Sequence, residues 1–218
     1  MQIFFGLLLS AFVLFYCPVQ SHAQNPLFRS YPFPNQDSLN QWKEKIFSGR
    51  TIYEFKLEQG EGFLFGHTNQ NFSAMYAEVP NWDLKAYPYL SWRWKIGAVP
   101  PRNPNLGKQS DDYAARVAVI FHAKIFLNSK AVVYAYDPVA PEGSIVNSDF
   151  TSNMKIMALK TTPGQWSTVT RNVYEDYKKA FGVAPEKNPG ALGYMVDAND
   201  TLKESSGAID DIKIQKTP

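Results

Sequence analysis

The chain alternates apolar and polar positions with a period of two far more than with the helical period. The clearest run is Tyr89–Ile96 (YLSWRWKI). It predicts a strand with Leu90, Trp92, Trp94 and Ile96 on one face and Ser91, Arg93 and Lys95 on the other. Further strands are predicted over Thr51–Leu57, Phe63–Phe65, Ala74–Ala77, Ala115–Phe121, Val132–Tyr136, Met154–Leu159, Trp166–Arg171, Gly193–Val196 and Ile209–Ile214. Turn signals such as Gly60-Glu61-Gly62, Pro100-Pro101, Asp137-Pro138 and Pro163-Gly164 separate them. Many short strands with turns between them predict a mainly β fold, a single sandwich. One helix stands out. Asn172 caps it, Glu175 follows three residues on, Val173, Tyr177 and Phe181 share a stripe, and Gly182 ends it. A second short helix is expected over Asp37–Lys45.

The first 23 of the 218 residues follow a different pattern. Ile3 to Tyr16 is apolar, Pro18 breaks the run, and Ser21-His22-Ala23 has the small-residue spacing that a signal peptidase reads. The run is shorter than the roughly 20 residues of a membrane span. The expected layout is a signal peptide over 1–23, a single domain over 24–218, and export to a bacterial periplasm or beyond, with no membrane insertion after cleavage. Cleavage would remove Cys17, the single cysteine, leaving no thiol, disulfide or thiolate ligand. The net charge of +2 is small and spread out, with no basic block of the kind nucleic acid needs.

Candidate chemistry concentrates in Lys108–Val117 (KQSDDYAARV). Asp111 and Asp112 stand at the mouth of a strand that contains Arg116. Charges there are costly unless they pair or bind something. Arg93 and Arg116 would share one face if their strands were neighbours. With Asp111, Asp112 and Asp197 they would grip an acidic sugar or a carboxylate. The alternative is an ion-pair lock that satisfies itself. Trp82 and Tyr87 lie next to turns and are candidate stacking platforms, since aromatics make up 15% of the chain and most must be core. Asp197, Asn199, Asp200, Asp210 and Asp211 offer oxygens for a structural calcium, although their spacing matches no EF-hand. No other cofactor is expected, because there is no His-x-x-x-His or Cys pair to bind zinc, and no Gly-x-Ser-x-Gly elbow marks a serine nucleophile.

As a set, several segments resemble the DUF3047 family of exported bacterial proteins, a domain of unknown function. They are Gly49-x-Thr51-x-Tyr53, Leu90–Lys95, Asp111–Val117, Arg171-Asn172-Val173, Asp176-Tyr177, Phe181-Gly182, Asp197–Thr201 and Asp211-Ile212. The resemblance covers roughly residues 42–214. It implies a jelly-roll sandwich like that of carbohydrate-binding modules and implies no activity. The chain departs from the family in the late acidic segment. Asp197-Ala198-Asn199-Asp200-Thr201 stands where the family resembles Asp-Thr-Asp-Asn-Thr, so no role carries over to Asn199 or Asp200.

The expectation is an exported, non-catalytic binding protein for a saccharide or another polar or acidic small ligand, held by Arg93, Asp111, Asp112, Arg116 and Asp197. One alternative is a polysaccharide lyase or hydrolase on the same sandwich. It would use His122 or Tyr113 beside Arg116, or Asp111 with Asp176 or Asp197 as a carboxyl pair. The other is a structural or interaction protein in which the Asp/Arg cluster is only a lock.

Overall fold

The computed structural model describes residues 26–103, 105–107, 111–123, 128–148 and 150–218. The signal-peptide expectation therefore lies outside the described residues. Among the described residues thirteen strands form two sheets: β1 (Leu27–Tyr31), β2 (Lys43–Ser48), β3 (Ile52–Glu58), β4 (Glu61–Asn69), β5 (Phe72–Glu78), β6 (Tyr89–Ile96), β7 (Arg116–Phe121), β8 (Lys130–Tyr136), β9 (Ile145–Asn147), β10 (Met154–Leu159), β11 (Trp166–Asn172), β12 (Ala191–Asp197) and β13 (Glu204–Gln215). One sheet has the order β11-β6-β13-β4-β3, with β1 also on β13. The other has the order β2-β5-β12-β7-β8-β10-β9. Strands make up 49% of the described residues and helices 10%, well under the roughly one-third helix of an average globular protein. The fold is the expected jelly-roll-like sandwich.

The two sheets differ in how their sequences alternate. In the six-stranded sheet, β6 sends Leu90, Trp92, Trp94 and Ile96 into the core, fully buried, and turns Arg93 and Lys95 outward. The seven-stranded sheet is apolar on both faces. Val117, Val119 and Phe121 of β7 join Trp92 and Trp94 in the main core, while Ala118 joins a second cluster with Tyr113, Val133, Ala135, Ile156 and Met195 on the outer face. A sheet covered on both sides reads as a continuous apolar run rather than an alternating one. This accounts for RVAVIF in β7, KAVVYAY in β8 and MKIMAL in β10.

The expected helix is α1 (Val173–Phe181). The Asn172 side chain accepts from the Glu175 amide, and Gly182 closes the helix at φ 74°, a left-handed conformation that glycine adopts without a Cβ penalty. The second expected helix is a correction. Only Gln36–Gln41 is helical, as a 3-10 turn, and Lys43–Ser48 is strand β2 at the sheet edge. All six β2 residues are exposed, so the strand carries no alternation to read. Its charged Lys43, Glu44 and Lys45 suit an edge that must not recruit another strand.

Candidate functional site

Arg93 and Arg116 do not share a face. β6 and β7 are consecutive in the chain but belong to opposite sheets, so each arginine lies on a different outer surface. This corrects the expected two-arginine grip.

On the six-stranded sheet, a two-residue turn at Gln59-Gly60, both with positive φ, places Glu58 directly opposite Glu61. Like charges in that position repel. Lys95 Nζ donates to Glu58 at 2.6 and 2.7 Å, and Arg93 Nη2 donates to Glu61 at 2.7 Å and to Asp210 at 2.9 Å. The Glu58 carboxyl is held below its usual range by the Lys95 hydrogen bond and then by the Trp166 indole. Trp166 lies against both cations, 5.2 Å from the Arg93 guanidinium and 5.5 Å from Lys95 Nζ. Every charge in this patch meets an opposite one, which is the lock alternative realised at Arg93.

The other sheet carries a different site. Arg116 is 3% exposed and Asp197 1%. Arg116 Nη2 donates to Asp197 Oδ2, and the Tyr113 amide donates to Asp197 Oδ1 at 3.0 Å. The guanidinium also sits over the rings of Tyr113 at 4.9 Å and Phe72 at 5.3 Å. Among the described residues its Nε–H has no hydrogen-bond acceptor, and the buried Asn199 Oδ1 has no donor. Asp112 plays a separate part. It accepts from the Asp200 amide at 3.2 Å, the Thr201 amide at 2.6 Å and Thr201 Oγ1 at 2.6 Å, and so fixes the turn that carries Asn199 and Asp200.

Around Arg116 opens a cleft of ≈ 380 Å³. Its apolar walls are Phe47, Phe72, Phe150, Met154 and Met195, and its polar groups are Arg116, Asp111, Asp197, Asn199 and Asp200. Phe47 and Phe72 stack at 4.6 Å with their planes 14° apart. Phe47 and Phe150 are each 54% exposed. The Asp200 carboxyl is raised above its usual range, first by burial and then by the negative charges of Asp112 and Asp111. Of the expected site residues, the structure thus brings together Asp111, Arg116 and Asp197, puts Asp112 behind them as a turn anchor, and places Arg93 elsewhere.

Phe47 and Phe150 escaped the sequence reading because each stands in a segment without periodic pattern. The platforms expected at Trp82 and Tyr87 are a correction. Trp82 is fully buried and donates its indole N–H to the Tyr87 carbonyl, while Tyr87 packs on Phe28 and the core. The late acidic residues also separate. Asp210 pairs with Arg93, Asp211 with Lys213, and Asp197 with Arg116. Among the described residues, no three His, Cys, Asp or Glu side chains are grouped to hold a metal ion.

The expected lyase geometry does not form around His122. It lies beyond the far end of β7 from Arg116, six residues and about 20 Å away at strand spacing. Its Nε2 sits 3.8 Å from Glu78. Tyr113 is beside Arg116, but burial raises its hydroxyl far above the tyrosine range, which opposes the phenolate form, and Arg102 Nη2 donates to its oxygen at 2.7 Å. Asp176 is also displaced from the cleft. It is buried under α1 and accepts from Arg171 and from the Tyr134 hydroxyl.

Several solved structures are similar to this chain at low sequence identity. The family 11 carbohydrate-binding module of cellulosomal cellulase Lic26A-Cel5E of Clostridium thermocellum is 11% identical with a TM-score of 0.48, over 81% of this chain and 88% of that one. Endoglucanase Cel12A of Rhodothermus marinus is 11% identical with a TM-score of 0.48, over 80% and 91%. The CBM22-1 xylan-binding domain of Paenibacillus barcinonensis Xyn10C is 12% identical with a TM-score of 0.45, over 87% and 93%. Likeness at this level carries no functional argument. No curated protein matches the chain at a significant level. The model of the DUF3047 family, described as a protein of unknown function, matches residues 40–213, and the chain belongs to that family.

Proposed function

We propose that this chain is an exported binding protein that holds a saccharide or another polar small ligand, without chemistry, in the Arg116 cleft. One observation carries the reading: two half-exposed phenylalanines flank a cleft in which a buried arginine keeps an Nε–H without an acceptor among the described residues. Small-ligand sites are concave, largely apolar and supplied with a few placed polar groups, and this cleft has that composition. Ring faces stack on the C–H face of a sugar, and the polar groups orient its hydroxyls. Export rests on the amino-terminal pattern alone. It predicts a mature protein beginning at Gln24, which intact-mass measurement on periplasmic material tests; a retained Met1 contradicts it.

A second reading, glycoside hydrolysis, is favoured by Asp200. A carboxyl raised by burial and like charges has the character of a general acid, and Asp111 lines the same cleft. A glycan array on the mature protein, followed by product analysis on the oligomers it retains, separates the two. Saturable binding without product supports the binding protein. Cleaved product from the native protein, lost in Asp200→Asn, supports the hydrolase.

A further inference from the structure

The charged groups of the Arg116 cleft are engaged unequally. Among the described lining residues, Arg116 is the cation, and Asp111, Asp197 and Asp200 are the carboxylates. Asp197 is already engaged on both oxygens, by Arg116 Nη2 and the Tyr113 amide. Asp112, just behind, is engaged by the 200–201 turn. Asp200 differs from both. Among the described residues no ion pair forms on it; Asn199 hydrogen-bonds to it and Arg116 attracts it, but burial and the charges of Asp112 and Asp111 outweigh them. A carboxylate ligand would add another negative charge to this group. A protonated amine would relieve it.

Two further features of the cleft point the same way. Phe47, stacked on Phe72, and Phe150 line the cleft, and aromatic rings attract a cation at their faces as well as offering apolar surface. Among the described residues the Nε–H of Arg116, a residue 3% exposed, is a buried donor without an acceptor, and Asn199 Oδ1 is a buried acceptor without a donor. A hydroxyl can accept from the first and donate to the second.

We infer that the cleft takes a ligand bearing a protonated primary amine, and, within the saccharide reading on which this rests, an amino sugar. The ammonium goes to Asp200 and the ring faces, and the hydroxyls go to Arg116 Nε–H and Asn199 Oδ1. The acidic ligand expected from two arginines is thereby replaced, since Arg93 lies on the other sheet and Arg116 is already paired with Asp197.

The test is calorimetric titration of the mature protein with oligomers of glucosamine, N-acetylglucosamine and glucose, matched in length and linkage. They differ in one substituent, which is an ammonium, an acetamide or a hydroxyl. A uronic-acid oligomer and spermidine complete the set, at about pH 6, where amines are charged. The glucosamine oligomer is expected to bind at least about ten-fold more tightly than the glucose oligomer, equivalent to about 1.4 kcal/mol. Asp200→Asn is expected to bring it down toward the glucose value, and Phe150→Ala, on an exposed ring, to weaken it independently of any effect on the Asp200 turn. Equal binding of the three oligomers overturns the amine inference and leaves the saccharide reading standing. Tighter binding of the uronic-acid oligomer overturns it as well. Spermidine binding without sugar binding supports the ammonium site and overturns the sugar. Binding by none of the set overturns both.

Discussion

The outer faces of the two sheets each carry an arginine, and the two are held in opposite ways. Arg93 lies on a polar face, 27% exposed at its side chain, between Glu61 at 66% and Asp210 at 12%. Its neighbours Lys95 and Glu58 form a second pair, and solvent reaches most of the group. Arg116 lies on an apolar face, at 4%, against Asp197 at 1%. The first arrangement is screened and worth little to stability. In the second, each charge has given up its water, and losing one partner strands the other. Every charge of the Arg93 patch meets an opposite one, whereas in the Arg116 cleft Asp200 has no ion pair among the described residues. A patch whose charges meet one another has little left to offer a ligand, and one with a carboxylate outside any ion pair has more.

The largest test of this contrast is stability. Arg116→Ala is expected to cost roughly 3–5 kcal/mol, because it leaves Asp197 buried and unpaired. Arg93→Ala is expected to stay within about 1 kcal/mol. Chemical denaturation of both variants checks this, and equal losses would erase the distinction between the two faces. Next in size is Asp112→Ala. It removes the acceptor for the Asp200 and Thr201 amides, at an expected cost of about 1–3 kcal/mol. An unchanged melting temperature would show that the 198–202 turn holds without it.

The smallest effect concerns Asp200. Its carboxyl is raised in the folded state, so the folded protein favours the protonated form. That contribution is fully present below the unfolded carboxyl's range and is lost as pH rises through the raised folded value. Asp200→Asn is therefore expected to melt slightly higher than the native protein near neutral pH, with the gain shrinking in acid. A gain that grows in acid would contradict the charge crowding assigned to Asp200.

How much of this was legible in the sequence follows from the same contrast. β6 was predicted residue for residue, because one of its faces meets solvent and the other meets the core, and alternation records that difference. The partly charged segment around Arg116 was legible because charge beside apolar residues is costly. What the sequence did not show was which sheet each strand joins. In a sandwich, consecutive strands can go to opposite sheets, and nothing in the period of β6 or β7 reports the switch. Phe47 was hidden for another reason. It sits in the fully exposed β2, where Lys43, Glu44 and Lys45 resembled a helix face, and only the stacking on Phe72 across the sheet gives it a role. Trp82 failed in the opposite direction. Its neighbouring turn suggested exposure, but that turn supplies the Tyr87 carbonyl that lets the indole be buried.

The most direct test of the central claim, that the ligand site lies on the Arg116 face, is the affinity of the best-retained oligomer for three proteins: native, Phe150→Ala and Trp166→Ala. Each substitution removes one partly exposed aromatic, from opposite faces. Phe150→Ala is expected to weaken binding about ten-fold, the value of roughly one good stacking contact, while Trp166→Ala keeps the native affinity. Loss of binding in Trp166→Ala with native affinity in Phe150→Ala would place the site on the Arg93 face and contradict the account.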